Sequence, residues 1–352
     1  MYILSIVFFE PIPYNYNMKK WLKVIVPGIG MLCLILDPHT ALNSAAEAVD
    51  LCAKTVVTSL FPFFVLSSLL TSSLLGAQSK FLRPLGRLCK MQTGTESLLL
   101  IGFLGGYPTG AQAISQGWQD GVLDKHQAQR MLGFCCNAGP AFLFGICGQM
   151  FPSLWMPWLL WAVHILSAVL TARLLPSASH GIRLLPRKSD LSLPEALDRA
   201  IKNTGRVCGW VFLFRILIGF LKKWLFCSIP SGISVFLSGL LELTNGCLLL
   251  TGIDNIGLRF LLASVFLAFG GLCVVMQTVS VTGKLGLGHY LRGKLIQSAF
   301  SALICLLLQA MFFPPDWRLD RKTDAISAVL MIILLFRLRR EKNSSISEKV
   351  GV

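Results

Sequence analysis

An all-α polytopic membrane protein is the fold class this sequence predicts, with about eight transmembrane helices and two re-entrant broken segments in an inverted-topology repeat. Three observations predict it. Of 352 residues, 54% are hydrophobic and 14% charged, a balance that a soluble domain cannot bury. Apolar runs at 56–75, 131–151, 260–281 and 295–313 approach the ~20 residues a helix needs to cross ~30 Å of hydrocarbon. Finally, one succession of segments occurs twice, and the basic residues between the runs sort to one side of a membrane.

At the amino terminus, residues 2–9 are too short to span and 11–17 hold two prolines. A Met followed by lysines and an apolar run stands at Met18-Lys19-Lys20-Trp21, so translation is expected to begin at Met18. No small-residue cleavage site follows Leu36, which predicts a retained first helix rather than a removed signal peptide. Residues 1–37 therefore form one unit, followed by a first repeat over 38–176, a cytoplasmic linker over 177–194, a second repeat over 195–313, and a last helix with a basic tail over 314–352.

The repeat begins where Glu47, Asp50 and Lys54 recur in spacing as Glu195, Asp198 and Lys202, each set followed by a long apolar run. A broken apolar stretch comes next in both halves: Gly105-Gly106-Tyr107-Pro108-Thr109-Gly110 in the first, Leu241-Glu242-Leu243-Thr244-Asn245-Gly246 in the second. Each leads to a span with a polar or small-residue interruption, Asn137-Ala138-Gly139-Pro140 in the first half and Gly270-Gly271 with Gln277-Thr278 in the second. If both broken stretches turn back, Lys80-Arg83-Arg87-Lys90, the 173–206 loop, Lys284-Arg292-Lys294 and the 337–342 tail all face the cytoplasm. The positive-inside rule favours that arrangement, and it inserts the halves in opposite senses with both termini cytoplasmic.

Backbone that leaves helical geometry at membrane depth survives only where protein or a water-filled cavity satisfies it. Pro108 lacks a helix-continuing N–H, and its neighbouring glycines permit a reversal. The stretch is either a ligand site framed by helix ends or a Pro-kinked helix packed through its glycines. A cavity there would be lined by Gly106, Tyr107, Pro108, Thr109, Gly110, Asn137, Gly139, Pro140, Glu242, Thr244, Asn245, Gly246, Gln277 and Thr278. Glu242 lies inside an apolar run, where an ionisable group needs a partner. Arg215, inside 211–220, is the expected partner, in an ion pair that is either structural or linked to proton uptake by Glu242. Asn137 either replaces the hydrogen bond lost at Pro140 or contacts a ligand, and Gln277 and Thr278 read the same way. Tyr107 can stack on a ring or pack, and His164 reads as core.

Other classes are excluded on chemistry. The charge of +15 falls in short clusters between apolar runs, as in loops facing an anionic leaflet, so lipid and not nucleic acid is the expected partner. The eleven cysteines show no metal-ligand spacing, so no metal or cofactor is expected. GxSxG, HExxH and GxxxxGK[ST] are absent, and with them any reason to expect an enzyme.

The strings GGYPTGA (105–111), CNAGPAFLFGICG (136–148), LELTNG (241–246) and FGGLCVVMQ (269–277) resemble the sporulation integral membrane proteins of the YlbJ type, in the broader nucleoside-recognition or Gate-domain group. The resemblance covers about Trp21 to Leu308. It implies a multi-pass protein of the bacterial cytoplasmic membrane in an endospore former, with other sporulation membrane proteins as partners. The full acidic and amide set of nucleoside transporters is missing, so no nucleoside substrate is implied; only the two Gly-centred breaks and Asn137 carry over, as cavity lining. The expected function is a secondary transporter or permease-like protein moving a small solute with a coupling ion. The alternative is a non-transporting scaffold or partner-binding component needed for spore development.

Overall fold

The structure, a computed structural model, describes residues 16–74, 80–176 and 191–319, with backbone alone for 16–23. The predicted start at Met18 falls on that backbone-only stretch, while residues 2–15, the 177–190 part of the linker, and the last span and tail lie outside the described residues. Helix and turn account for all of the described secondary structure, without a strand.

The first half begins after α1 (Tyr16–Leu36), whose apolar side chains from Val24 onward are exposed to what must be lipid. Asp37 caps α2 (Pro38–Leu51) by accepting from Thr40 N at 3.2 Å, and Pro38 occupies the first turn, where its missing N–H costs nothing. A π-helical turn over Cys52–Val57 carries α2 directly into α3 (Thr58–Leu74). There follow α4 (Arg83–Leu88), α5 (Ser97–Gly105), α6 (Thr109–Gln119), α7 (Lys125–Cys135), α8 (Pro140–Gly145) and α9 (Trp155–Leu174). The second half repeats that order with α10 (Leu193–Trp224), α11 (Ser231–Leu241), α12 (Leu243–Leu250), α13 (Ile256–Phe269), α14 (Gly271–Thr282) and α15 (Tyr290–Phe312). Each half is thus one long helix, two interrupted helices and one continuous helix.

The interruptions differ in kind. Between α5 and α6 the chain reverses, bringing Gly110 against Gly102, and α12 folds back on α11 so that Gly246 meets Gly239. Both are helical hairpins. By contrast α7 to α8 and α13 to α14 continue onward through short non-helical breaks. Five helical stretches among the described residues are long and apolar enough to cross a membrane: Pro38–Leu74, Trp155–Leu174, Leu193–Trp224, Ile256–Leu285 and Tyr290–Phe312.

Corresponding helices of the two halves pack antiparallel. Along α2–α3 and α10, Asp37 meets Lys223, Glu47 meets Arg215 and Cys52 meets Cys208, one number rising as the other falls. Helices α9 and α15 do the same, with Trp155 beside Phe313 and His164 beside Gln297. The repeated Asp and Lys positions form matching i,i+4 pairs, Asp50–Lys54 at 2.5 Å and Asp198–Lys202 at 2.6 Å.

One end of the bundle is strongly basic. There Lys90 reaches Arg173 O at 3.1 Å, Arg130 reaches Cys89 O and Ala172 O at 2.8 and 2.6 Å, and Gln129 reaches Leu285 O at 2.8 Å. Those contacts gather the 80–90 cluster, the end of α9 and the Lys284–Arg292 turn at that end. Lys294 is a correction. Read from the sequence as part of a cytoplasmic cluster, it is fully buried one turn into α15.

Candidate functional site

The reversal at Gly106 has φ +71° and ψ −173°, a conformation open in practice only to glycine. It lets the hairpin tip press on the second interruption, Gly106 backbone against Gly139 backbone. Helix α8 starts on Pro140, so 136–139 is a non-helical stretch, extended at Cys136 and Gly139, whose polar groups need partners. They find side chains. Asn137 donates its amide to Phe134 O at 2.8 Å, the Ala138 N–H goes to His164 Nε2 at 3.1 Å, and Lys294 Nζ donates to Cys136 O. Gln297 joins by accepting from Lys294 at 2.8 Å and donating to Asn137 Oδ1 at 2.9 Å.

In the second half, Glu242 is the cap of α12. Its two oxygens accept from Thr244 N at 2.9 Å and Asn245 N at 2.7 Å, both at the positive end of the helix, and from the Asn245 side-chain Nδ2 at 2.8 Å. The predicted Arg215–Glu242 pair does not form. Arg215 instead binds Glu47 at 2.6 Å, because α10 lies along α2 and turns residue 215 to the bundle's outer side, while Glu242 is 2% exposed and fully engaged by its own helix. At the fourth interruption Gly270 adopts φ +83°, and the Tyr107 hydroxyl donates to Leu267 O at 3.3 Å, a carbonyl next to that break.

Three of the four interruptions, together with Val274 and Gln277 of α14, line one cavity of about 40 Å³, room for about three waters at ~10–15 Å³ each. Gly106, Tyr107, Gly139, Glu242, Thr244 and Gln277 of the predicted residues line it, with Val56 of the π turn and Val207 and Val211 of α10. Pro108, Gly110, Asn137, Pro140, Asn245, Gly246 and Thr278 are not part of its lining. Thr109 lines a second cavity of about 30 Å³ with Ser68, Thr71, Gln112, Gln116 and Arg199. Thr278 bonds Val274 O at 2.9 Å, whereas Asn137 donates to Phe134 O and accepts from Gln297 of the other half. Sequence reasoning missed Lys294 and Gln297. Their spacing of three places both on one helix face at the edge of an apolar run, a signal hidden by the neighbouring basic residues. His164 is more than core, since it accepts a backbone N–H freed by the break.

The arrangement defines an integral membrane protein whose broken helices converge on a small, mostly apolar cavity that holds one carboxylate. The chain is similar to the sporulation integral membrane protein YlbJ of Bacillus subtilis (strain 168), 23% identical over 326 residues, or 78% of this chain and 79% of the relative. That similarity bears out the resemblance read from the four motifs. No protein-family model matches the chain, and no solved structure matches it.

Proposed function

We propose that the protein is a secondary transporter or permease-like component of sporulation membranes that moves a small polar solute by rocking its two halves about the central cavity. The observation that carries this reading is the convergence of two hairpins, two broken spans and two long helices on one cavity that contains a carboxylate. Membrane transporters bind solutes at such places, where unwound backbone lines a cavity at the interface of inverted repeats. The antiparallel packing of α2–α3 on α10 and of α9 on α15 supports an inverted pair of halves. Hairpins that do not cross leave seven crossings among the described residues, counting α1, and the 325–336 run makes eight. With the basic end cytoplasmic, both termini are cytoplasmic.

In this reading the hairpins part for loading. Single cysteines at Thr244 and Gln277, in a background freed of the native cysteines, test this. Labelling by a membrane-impermeant thiol reagent from each face, slowed by a solute, is the expected outcome. Controls at Lys125 and Asp254 mark the two ends. If both controls react and both cavity positions stay inert under every condition, transport is lost as a reading and a scaffold that binds a membrane partner takes its place.

A further inference from the structure

Lys294 is the one fully buried lysine among the described residues, and none of their carboxylates lies within ion-pair distance of it. A buried ammonium without a counter-charge is ordinarily prohibitive. Here neutral oxygens and ring faces take the counter-charge's place. Nζ donates to Cys136 O, to Gln297 Oε1 at 2.8 Å and toward Asn137 Oδ1 at 3.5 Å. The ring centroids of Tyr107 and Tyr290 lie 5.3 and 5.9 Å away, within cation–π range. Cys136 O belongs to the carboxyl end of α7, the negative end of its dipole.

Take away the lysine stem, and what remains is a cation site: an unwound carbonyl, two amide oxygens and two aromatic faces, closed off from solvent. We propose that the α7–α8 break is a monovalent-cation site for a primary ammonium, and that Lys294 is its tethered occupant. Three oxygens match the three N–H bonds of –NH₃⁺ in number, whereas an alkali ion gathers more ligands than this cage supplies. The stem enters from α15, so the tethered charge also pins α15 of the second half to the interrupted helix of the first. Two consequences follow. The intact protein needs no Na⁺ or K⁺ at this break, and shortening Lys294 to alanine opens a hole with the outline of n-propylammonium. The proposal stands whether or not the protein transports a solute.

The test uses the full chain in detergent as wild type, Lys294→Ala and Lys294→Met, read by the thermal midpoint and by recovery of monodisperse protein. The wild type is expected to be indifferent to exchange of NaCl for KCl or choline chloride. Lys294→Ala should lose several degrees and, by mass action, regain about half the loss or more in n-propylammonium chloride at concentrations well above its dissociation constant. Neutral 1-propanol and tetramethylammonium, which lacks N–H bonds, should not restore it. Lys294→Met, which fills the space without a charge, should stay low. A methionine variant as stable as wild type overturns the proposal, and so does equal rescue by 1-propanol and n-propylammonium. Should Lys294→Ala fail to accumulate, cells grown with n-propylammonium decide: recovery of folded protein supports the proposal and continued absence overturns it.

Discussion

The two halves solve the same problem with different chemistry. Hairpin α5–α6 has no side-chain cap and relies on close backbone contact, Gly106 on Gly139 and Gly102 and Gly110 on Cys135 O. Hairpin α11–α12 instead carries its own carboxylate, with Glu242 satisfying three donors of the helix it opens. The broken helices are completed between the halves of the chain: Lys294 and Gln297 of the second half serve the break at 136–139, and Tyr107 of the first half serves the break at Gly270. Neither half therefore holds its interruptions closed alone. A movement that separates the halves must break these cross-links together, as a two-state element does.

The largest effect should come from the glycine-packed hairpin. Gly106→Ala puts a Cβ 2.9 Å from Gly139 N in a conformation reserved to glycine, so strain and overlap together should cost about 3 kcal/mol or more. Gly270→Ala is the comparison. Its φ of +83° and ψ of −16° lie near the left-handed helical region, and its nearest obstacle, Tyr107 Cζ, is 3.2 Å away, so about 1–2 kcal/mol is expected. Thermal midpoints of the two variants check the order; Gly270→Ala proving the worse would show that the first hairpin is the more yielding of the two.

Next comes the acid-capped hairpin. Glu242→Ala removes the acceptor of three buried N–H donors and should cost about 2 kcal/mol. Glu242→Gln keeps one acceptor oxygen and should cost about half as much. The same pair sharpens the functional comparison: if Glu242→Gln leaves both protein level and solute movement unchanged, proton uptake by Glu242 is removed from the mechanism and only the cap remains. Tyr107→Phe ranks below these. It deletes one hydroxyl donated to Leu267 O at 3.3 Å and should cost about 0.5–1.5 kcal/mol, seen as a small fall in midpoint without loss of yield.

These differences also mark how much of the molecule was legible in its sequence. The order of elements is visible because glycine, proline and acid at membrane depth are expensive and so stand out against apolar runs, as Gly105–Gly110 and Glu242 do. The convergence on a cavity of Gly106, Tyr107, Gly139, Glu242, Thr244 and Gln277 follows from the same logic. Which charged groups meet is not visible, because it depends on how the halves rotate against each other. Glu242 needs no arginine, since its own helix supplies three donors within three residues. Arg215 meets Glu47, a residue 168 positions away, through a helix–helix register that no local pattern encodes. Lys294 misled for the opposite reason, because adjacent Arg292 and nearby Lys284 make a loop cluster of what is partly a buried site.

The smallest effects should fall on the outer seam between α2 and α10, where the halves are joined by exposed ion pairs. The side chains of Arg215 and Glu47 are 21% and 59% exposed, so Glu47→Gln should change stability by less than about 1 kcal/mol, and less still in high salt. The Lys223 ammonium, 2.5 Å from Asp37, together with the Thr40 hydroxyl, holds the Asp37 carboxyl below its ordinary value. A lowered carboxylate value stabilises the fold above the unfolded aspartate value of about 3.9, and that contribution fades as pH falls through the lower folded value. Midpoints measured from neutral pH down to the acid range should therefore be flat near neutrality for this pair. Asp37→Asn should lie a degree or two below wild type at neutral pH and converge on it in the acid range, where the pair's contribution is lost. A loss at Asp37 or Glu47 as large as that at Gly106 would reverse the comparison, making the outer seam and not the interrupted core the place where the two halves are held together.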